Sequence, residues 1–229
     1  MGLTLLRGRD ALLWLRDELR PGLDGEAWLR EGDRLLREAA GAAAGRGRAP
    51  ARRLLLAGRP GIWRHNRHGG LAGRLLGDGF WTPGRLQQEV ALSEALRREG
   101  LPTPEVLLAR AGRRGLRWRQ DLVTAEVPGA RTLFECRHEA GLLREGVRLL
   151  ARLFEAGVEI PDLHPGNLLV DSDGRLWVID LAGARRRPGP LEPARAEVRW
   201  QRFLRFFRKH AGQVPASLPE RWSEARALA

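Results

Sequence analysis

Residues Glu159 to Asp180 read EIPDLHPGNLLVDSDGRLWVID, and this stretch decides the fold. Two short apolar runs, Asn167 to Val170 and Arg175 to Ile179, flank Asp171-Ser172-Asp173-Gly174, which is a hairpin signal. Asp162 and Asn167 stand five residues apart on the loop before that hairpin, and Asp180 closes its second strand. The hairpin folds the chain back so that Asn167 and Asp180 face one another. Phosphoryl transfer from a nucleotide needs such a set. A carboxylate must accept the proton of the attacking hydroxyl, and two oxygen ligands must hold magnesium on the phosphates. Singly, an Asp before a Pro-Gly turn or an Asn ahead of a strand is an ordinary turn former. Together, at these spacings and behind a long helical segment, the three point to chemistry.

Working outward, the pattern alternates between helix and strand. Residues 132 to 156 are helical in period, densest in LLREGVRLLARLFEAG. Pro128-Gly129 marks a break before them, and Glu105 to Arg110 and Leu116 to Val127 are strand candidates joined through Gly112 and Gly115. Residues 84 to 99 carry Leu86, Val90, Leu92 and Leu96 at helical spacing, stopped by Gly100 and Pro102. Arg53 to Ala57 and Gly61 to His65 are two short strands around Gly58-Arg59-Pro60. Residues 9 to 20 and 26 to 39 predict two helices, and a last helix runs from about Ala194 to His210. The expected fold class is α+β in two lobes: residues 1–44 a helical extension, 45–127 a nucleotide-binding lobe with an antiparallel sheet and a helix, and 128–229 a mainly helical catalytic lobe.

Composition narrows the partners. The 229 residues carry a formal charge of +12, and Lys209 is the only lysine among 40 basic residues. Such a field attracts polyanions: nucleic acid, phosphorylated lipid headgroups or nucleotides. The arginines are scattered rather than blocked, so no specific nucleic-acid partner is expected. Cys136 is the one cysteine, which excludes an internal disulfide framework. Apolar stretches of four or five residues are too short to span a membrane. Residues 1–20 lack a signal-peptide pattern, which leads to an expected cytoplasmic location. His65, His68, His138 and His210 show no metal-ligand spacing, and the scatter of the eight tryptophans favours packing over base stacking.

D-x-x-x-x-N followed by a hairpin and a terminal Asp matches the protein-kinase catalytic pattern, and D-L-H-P-G-N resembles small-molecule kinases of that fold. The first half of the chain must then supply a nucleotide clamp. Gly45 and Gly47 are the candidates for a glycine loop. With no lysine before Lys209, Arg64 stands where kinases carry the strand lysine, with Arg67 or Arg74 as alternatives. Glu89 is the expected carboxylate partner, with Glu94 as fallback.

Arg64-His65-Asn66-Arg67-His68-Gly69-Gly70-Leu71, with Gly73-Arg74-Leu75-Leu76 and Asp78, resembles the R-H-Y-R-R-G-G signature of the 3-deoxy-D-manno-octulosonic acid (Kdo) kinases in the lipopolysaccharide kinase family. The similarity continues through Glu89, Gly100 to Pro104, Pro128-Gly129-Ala130 and the Arg-rich segment 202–209. It implies a protein-kinase-like fold. It also implies ATP and Mg2+ as cofactors, and transfer of the γ-phosphate to the 4-hydroxyl of a Kdo sugar on a lipid A precursor. By this resemblance Asp162 is the general base, Asn167 and Asp180 hold magnesium, Arg64 contacts the phosphates and Glu89 orients it. The anionic face of the inner membrane is the expected place of work. Asn66 and His68 depart from the usual Tyr and Arg, Ile160-Pro161 from His-Arg, and Leu181-Ala182-Gly183 from Phe-Gly. The rival expectations are a kinase-like phosphotransferase acting on an aminoglycoside or choline-type alcohol, and a non-catalytic kinase-like scaffold.

Overall fold

The computed structural model describes residues 2–41, 43–44, 51–67 and 77–228. The chain divides into two compact units, Met1–Ala91 with Glu105–Glu126, and Leu92–Pro104 with Val127–Ala229.

Among the described residues of the first unit, seven strands form one antiparallel sheet in the order β1-β2-β6-β7-β5-β4-β3. They are β1 Leu3–Arg7, β2 Ala11–Arg16, β3 Ala43–Ala44, β4 Ala51–Leu56, β5 Arg59–His65, β6 Val106–Arg114 and β7 Arg117–Ala125. Helix α1, Gly25–Ala39, covers one face and is capped by Asp24, whose Oδ1 accepts from the amides of Glu26 and Ala27 at 3.0 and 3.2 Å. Its Trp28, Leu29 and Leu36 pack with Leu13, Leu15, Leu54, Leu56 and Val123. Leu86 and Val90 of helix α2, Gly84–Arg98, pack with Trp14, Val106, Ala109 and Leu122 in a second cluster.

The helix expected over residues 9 to 20 is therefore overturned. ALLWLR is β2, followed by a 3-10 turn over Asp17–Gly22. Both faces of β2 are covered, Leu13 and Leu15 in one cluster and Trp14 in the other. A strand buried on both sides loses its period-2 alternation, and its apolar run looks helical. Residues 1–44 accordingly contribute three strands to the sheet beside one helix, rather than helices alone. The turn between β4 and β5 falls on Ala57-Gly58, both at positive φ (46° and 82°), rather than on Gly58 to Pro60.

Arg110 ties α1 to the sheet. Its Nε and Nη2 donate to the carbonyls of Trp28 and Leu29, each at 3.0 Å, and its Nη1 to Asp33. Gly32 makes room for it, since a Cβ there would lie 2.3 Å from Arg110 Cδ.

The second unit is mainly helical. Helix α3, Ala140–Glu155, and helix α4, Pro193–Ala211, bury Leu143, Val147, Leu150, Phe154, Trp200, Phe203 and Phe207 in one core, joined by Trp222 of α5, Trp222–Ala227. The hairpin β10 Leu168–Val170 and β11 Leu176–Val178 pairs with β8, Arg131–Thr132. Strands β9 Val158–Glu159 and β12 Arg185–Arg186 form a second small ladder. The helix expected from Thr132 begins only at Ala140. Before it, Thr132 and Glu135 close a reciprocal turn, the amide of Thr132 donating to Glu135 Oε2 at 2.7 Å and the amide of Glu135 to Thr132 Oγ1 at 3.2 Å. No helix among the described residues is long and apolar enough to cross a membrane.

Glu159 is a buried charge of this unit, at 5% exposure. Arg187 donates to it at 2.8 and 3.1 Å and Arg199 at 2.9 Å, with Arg195 3.6 Å away. The Arg187 hydrogen bonds outweigh burial and hold its carboxyl below the usual range, aided by Arg199. A depressed folded-state pKa contributes stability that is present above the ordinary glutamate value and lost as pH falls through the folded value. Glu159→Gln should therefore cost roughly 1–2 kcal/mol in urea unfolding at neutral pH, because a buried carboxylate loses its charge-assisted hydrogen bonds from the partly exposed Arg187 and Arg199. The gap to wild type should narrow below about pH 4. Equal midpoints at neutral pH would remove this cluster from the stability of the fold.

Candidate active site

The loop from Glu159 to Asn167 ends in a single 3-10 turn, Pro165–Asn167. His164 caps it: its Nδ1 accepts from the Gly166 amide at 3.1 Å, which puts the proton of the neutral ring on Nε2. Burial lowers its pKa against the opposing charges of Asp162 and Asp180, so the neutral form is favoured. Its ring stacks on Phe206 of α4 at 4.6 Å and 11°.

Asn167 is buried and its Nδ2 donates to the Asp162 carbonyl at 3.0 Å, which fixes the loop's span and leaves Oδ1 as the acceptor. The Ile179 amide donates to the Asn167 carbonyl at 2.9 Å, extending the β10–β11 ladder by one pair and bringing Asp180 beside the turn. Asp180 has φ 58°, a left-handed conformation that costs an aspartate backbone energy and is typical of functional sites. The hairpin turn is locked by Asp171, whose Oδ1 accepts from the amides of Asp173 and Arg175 at 2.9 and 2.8 Å and whose Oδ2 accepts from Trp177 Nε1 at 2.9 Å. Burial pushes its carboxyl up, but these donors and Arg175 hold it below the usual range. Asp162 itself is 64% exposed, and its Oδ1 pairs with Arg202 of α4.

In the first unit, strand alternation turns Trp63 and His65 to the α1 side of β5 and Arg64 to the α2 side. Arg64 Nη2 donates to Glu89 Oε1, and Glu89 is only 3% exposed. Asn66 Nδ2 lies 3.5 Å from both Glu89 Oε2 and Gln120 Oε1. Glu94 lies further along α2, its carbonyl accepting from Arg98 at 3.2 Å. Gly45, Gly47 and Arg74 lie outside the described residues. Arg67 lines a cavity of about 190 Å³ on the α1 side, with Arg37, Arg52, His65 and Arg119. His65 is held between Asp121 Oδ1 at 2.7 Å and Asp78 Oδ2 at 3.1 Å. Burial raises the Asp78 carboxyl, yet Arg119 and His65 hold it below the usual range.

Sequence reasoning missed the contacts made over long separations. Gln120 beside Asn66 and Arg202 on Asp162 are far apart in the chain and carry no local signal. The helical spacing of Arg199, Arg202 and Phe206 was the one available hint of a common face turned to the loop.

The sequence profile of the lipopolysaccharide kinase (Kdo/WaaP) family matches residues 37–208. The 3-deoxy-D-manno-octulosonic acid kinase of Vibrio parahaemolyticus is 30% identical over 217 residues, covering 89% of this chain and 87% of its own. The enzyme of that name from Stenotrophomonas maltophilia is 34% identical over 160 residues, 66% of this chain and 63% of its own. Among solved structures, the Rio2 kinase–ADP/Mg2+-phosphoaspartate complex from Chaetomium thermophilum superposes with a TM-score of 0.53 at 17% identity, covering 99% of this chain and 71% of that one, which establishes a protein-kinase-like fold. With three quarters of its length under one family profile and a relative aligned almost end to end, the chain belongs to the lipopolysaccharide kinase (Kdo/WaaP) family.

Proposed function

We propose that this protein is an ATP-dependent kinase that phosphorylates a hydroxyl of a Kdo sugar on a lipid A precursor. The observation that carries the reading is the brace between Asn167 and the Asp162 carbonyl at 3.0 Å, in a turn that the hairpin places beside Asp180. It supplies one solvent-facing carboxylate for an acceptor hydroxyl and two hard oxygen donors next to it. Family membership favours a lipopolysaccharide sugar over an aminoglycoside or choline-type acceptor.

In this reading Asp162 accepts the proton of the acceptor hydroxyl as its oxygen bonds to the γ-phosphorus, and the bond from phosphorus to the bridging oxygen breaks to release ADP. Asn167 Oδ1 and the Asp180 carboxylate fit magnesium, which takes oxygen ligands and, when bound, screens the phosphate charge. Arg64 supplies fixed positive charge to the phosphates, and Glu89 holds its planar head in place. Gly45 and Gly47, which lie outside the described residues, are assigned to the phosphates on the sequence alone. The arginine surplus draws the protein to the anionic inner face of the inner membrane as a peripheral enzyme.

Mass spectrometry of the products from ATP, Mg2+ and either Kdo-lipid A precursor or aminoglycosides tests the acceptor; phosphate appearing only on the latter would overturn it. Asp162→Asn should lower kcat roughly 10²-fold or more with nucleotide affinity nearly unchanged. Full activity in the folded variant would exclude Asp162 as the base. For the clamp, Arg64→Ala should weaken ATP binding and turnover by about 10-fold or more, with partial recovery in Arg64→Lys. Unchanged kinetics in that variant, alongside loss in Arg74→Ala, would move the role to Arg74.

A further inference from the structure

The catalytic loop is read out by one face of α4. Arg199 donates to the Pro161 carbonyl at 3.3 Å and to Glu159 at 2.9 Å, Arg202 pairs with Asp162, and Phe206 stacks on His164. The spacing of these three residues places them on one helix face. His210, a turn further on, covers Phe206 at 4.4 Å. The Arg199–Glu159 bond and the Phe206–His164 stack are part-buried and fix the helix against the loop, so the position of Arg202 beside Asp162 is set by the fold and not by the pair itself.

The pair is exposed, Arg202 at 45% and Asp162 at 64%. An exposed ion pair contributes about 1 kcal/mol at most, so stability does not explain it. Arg202 uses only Nη2 on Asp162. Its Nε and Nη1 meet no acceptor among the described residues, and they stand beside the carboxylate against which an acceptor hydroxyl must lie. A guanidinium has two donor edges in one plane, Nε with Nη2 and Nη1 with Nη2; Asp162 takes one Nη2 hydrogen, so the other edge, completed by the second Nη2 hydrogen, still matches a carboxylate.

We propose that Arg202 is a positioning and specificity-determining residue: it orients Asp162 with one amino group and binds the carboxylate of a sugar-acid acceptor with the rest of its fork. This rests on the functional reading above. The acid group of the acceptor then selects the substrate, because the residue that steers the base is the residue that recognises the acid. A neutral sugar leaves the fork unpaired and gains no anchor for its hydroxyl.

The test compares two acceptors, a Kdo-lipid A precursor and the same molecule with its Kdo carboxyl reduced to an alcohol, across wild type, Arg202→Gln and Arg202→Lys. Wild type should prefer the intact acid by about 10²-fold in kcat/KM, as expected when a site built for a charged group loses it. Arg202→Gln should lose activity on the acid and treat the two acceptors within about 3-fold of each other, and Arg202→Lys should restore part of the preference. The KM for ATP should stay unchanged in all three, and thermal melting shows that each is folded. A preference equally strong in Arg202→Gln would overturn the proposal, as would a raised KM for ATP with acceptor discrimination intact, which assigns the guanidinium to the nucleotide. Wild type that ignores the acid group while phosphorylating both acceptors overturns this proposal alone; wild type that phosphorylates neither overturns the functional reading beneath it.

Discussion

A carboxylate removed from water must find donors to hold it, and at three places in this chain arginine supplies them. Glu159 is held by Arg187 and Arg199, Glu89 by Arg64, and Asp33 by Arg110 and Arg114. Each knot joins segments distant in sequence: a short ladder to α4, β5 to α2, and α1 to the sheet. The planar fork suits this work, since one guanidinium can bond a carboxylate and backbone carbonyls together, as Arg110 does. The loop bearing Asp162 leaves from Glu159, so the buried knot sets where the exposed Asp162 carboxylate stands.

The loop and hairpin show how a site is held ready without burying it. Asn167 bonds the Asp162 carbonyl, His164 caps the turn between them, and Asp171 locks the far end of the hairpin. These contacts engage backbone groups and leave the Asp162 carboxylate facing solvent. The energy cost is concentrated in Asp180, whose left-handed backbone the surrounding ladder must enforce. Gly183, three residues on, takes the next positive φ (77°) without that cost.

Net charge overstates the surface available to an anionic partner. Arg16 and Arg110 are buried, and Arg199 spends both terminal amino groups on Glu159 and the Pro161 carbonyl. Arg34 is shared between Glu31 and Glu38 along α1. Arginines that retain donors, such as Arg202, therefore carry more information than the total. A charge of +12 spread over scaffold and surface alike is a weak guide to function, whereas one guanidinium with a free edge beside Asp162 is a specific one.

What could be read from sequence follows from how far each interaction reaches. The Asp162–Asn167–Asp180 spacing and the Asp-Gly turn between short strands are local, and the hairpin stands where that pattern puts it. The pairing of Arg64 with Glu89, 25 residues apart, was accessible because a strand cation followed by a helix carboxylate is part of the protein-kinase pattern. β2 was misread for a physical reason: with helices over both faces of its sheet, ALLWLR buries on both sides and carries no alternation. The placement of β2 beside β6, with β1 outside it, depends on pairing about a hundred residues apart, which no local pattern encodes. The same holds for Arg202, forty residues beyond Asp162. Periodicity assigns it to a helix face, but only the packing of Phe206 on His164 decides that this face meets the loop bearing Asp162.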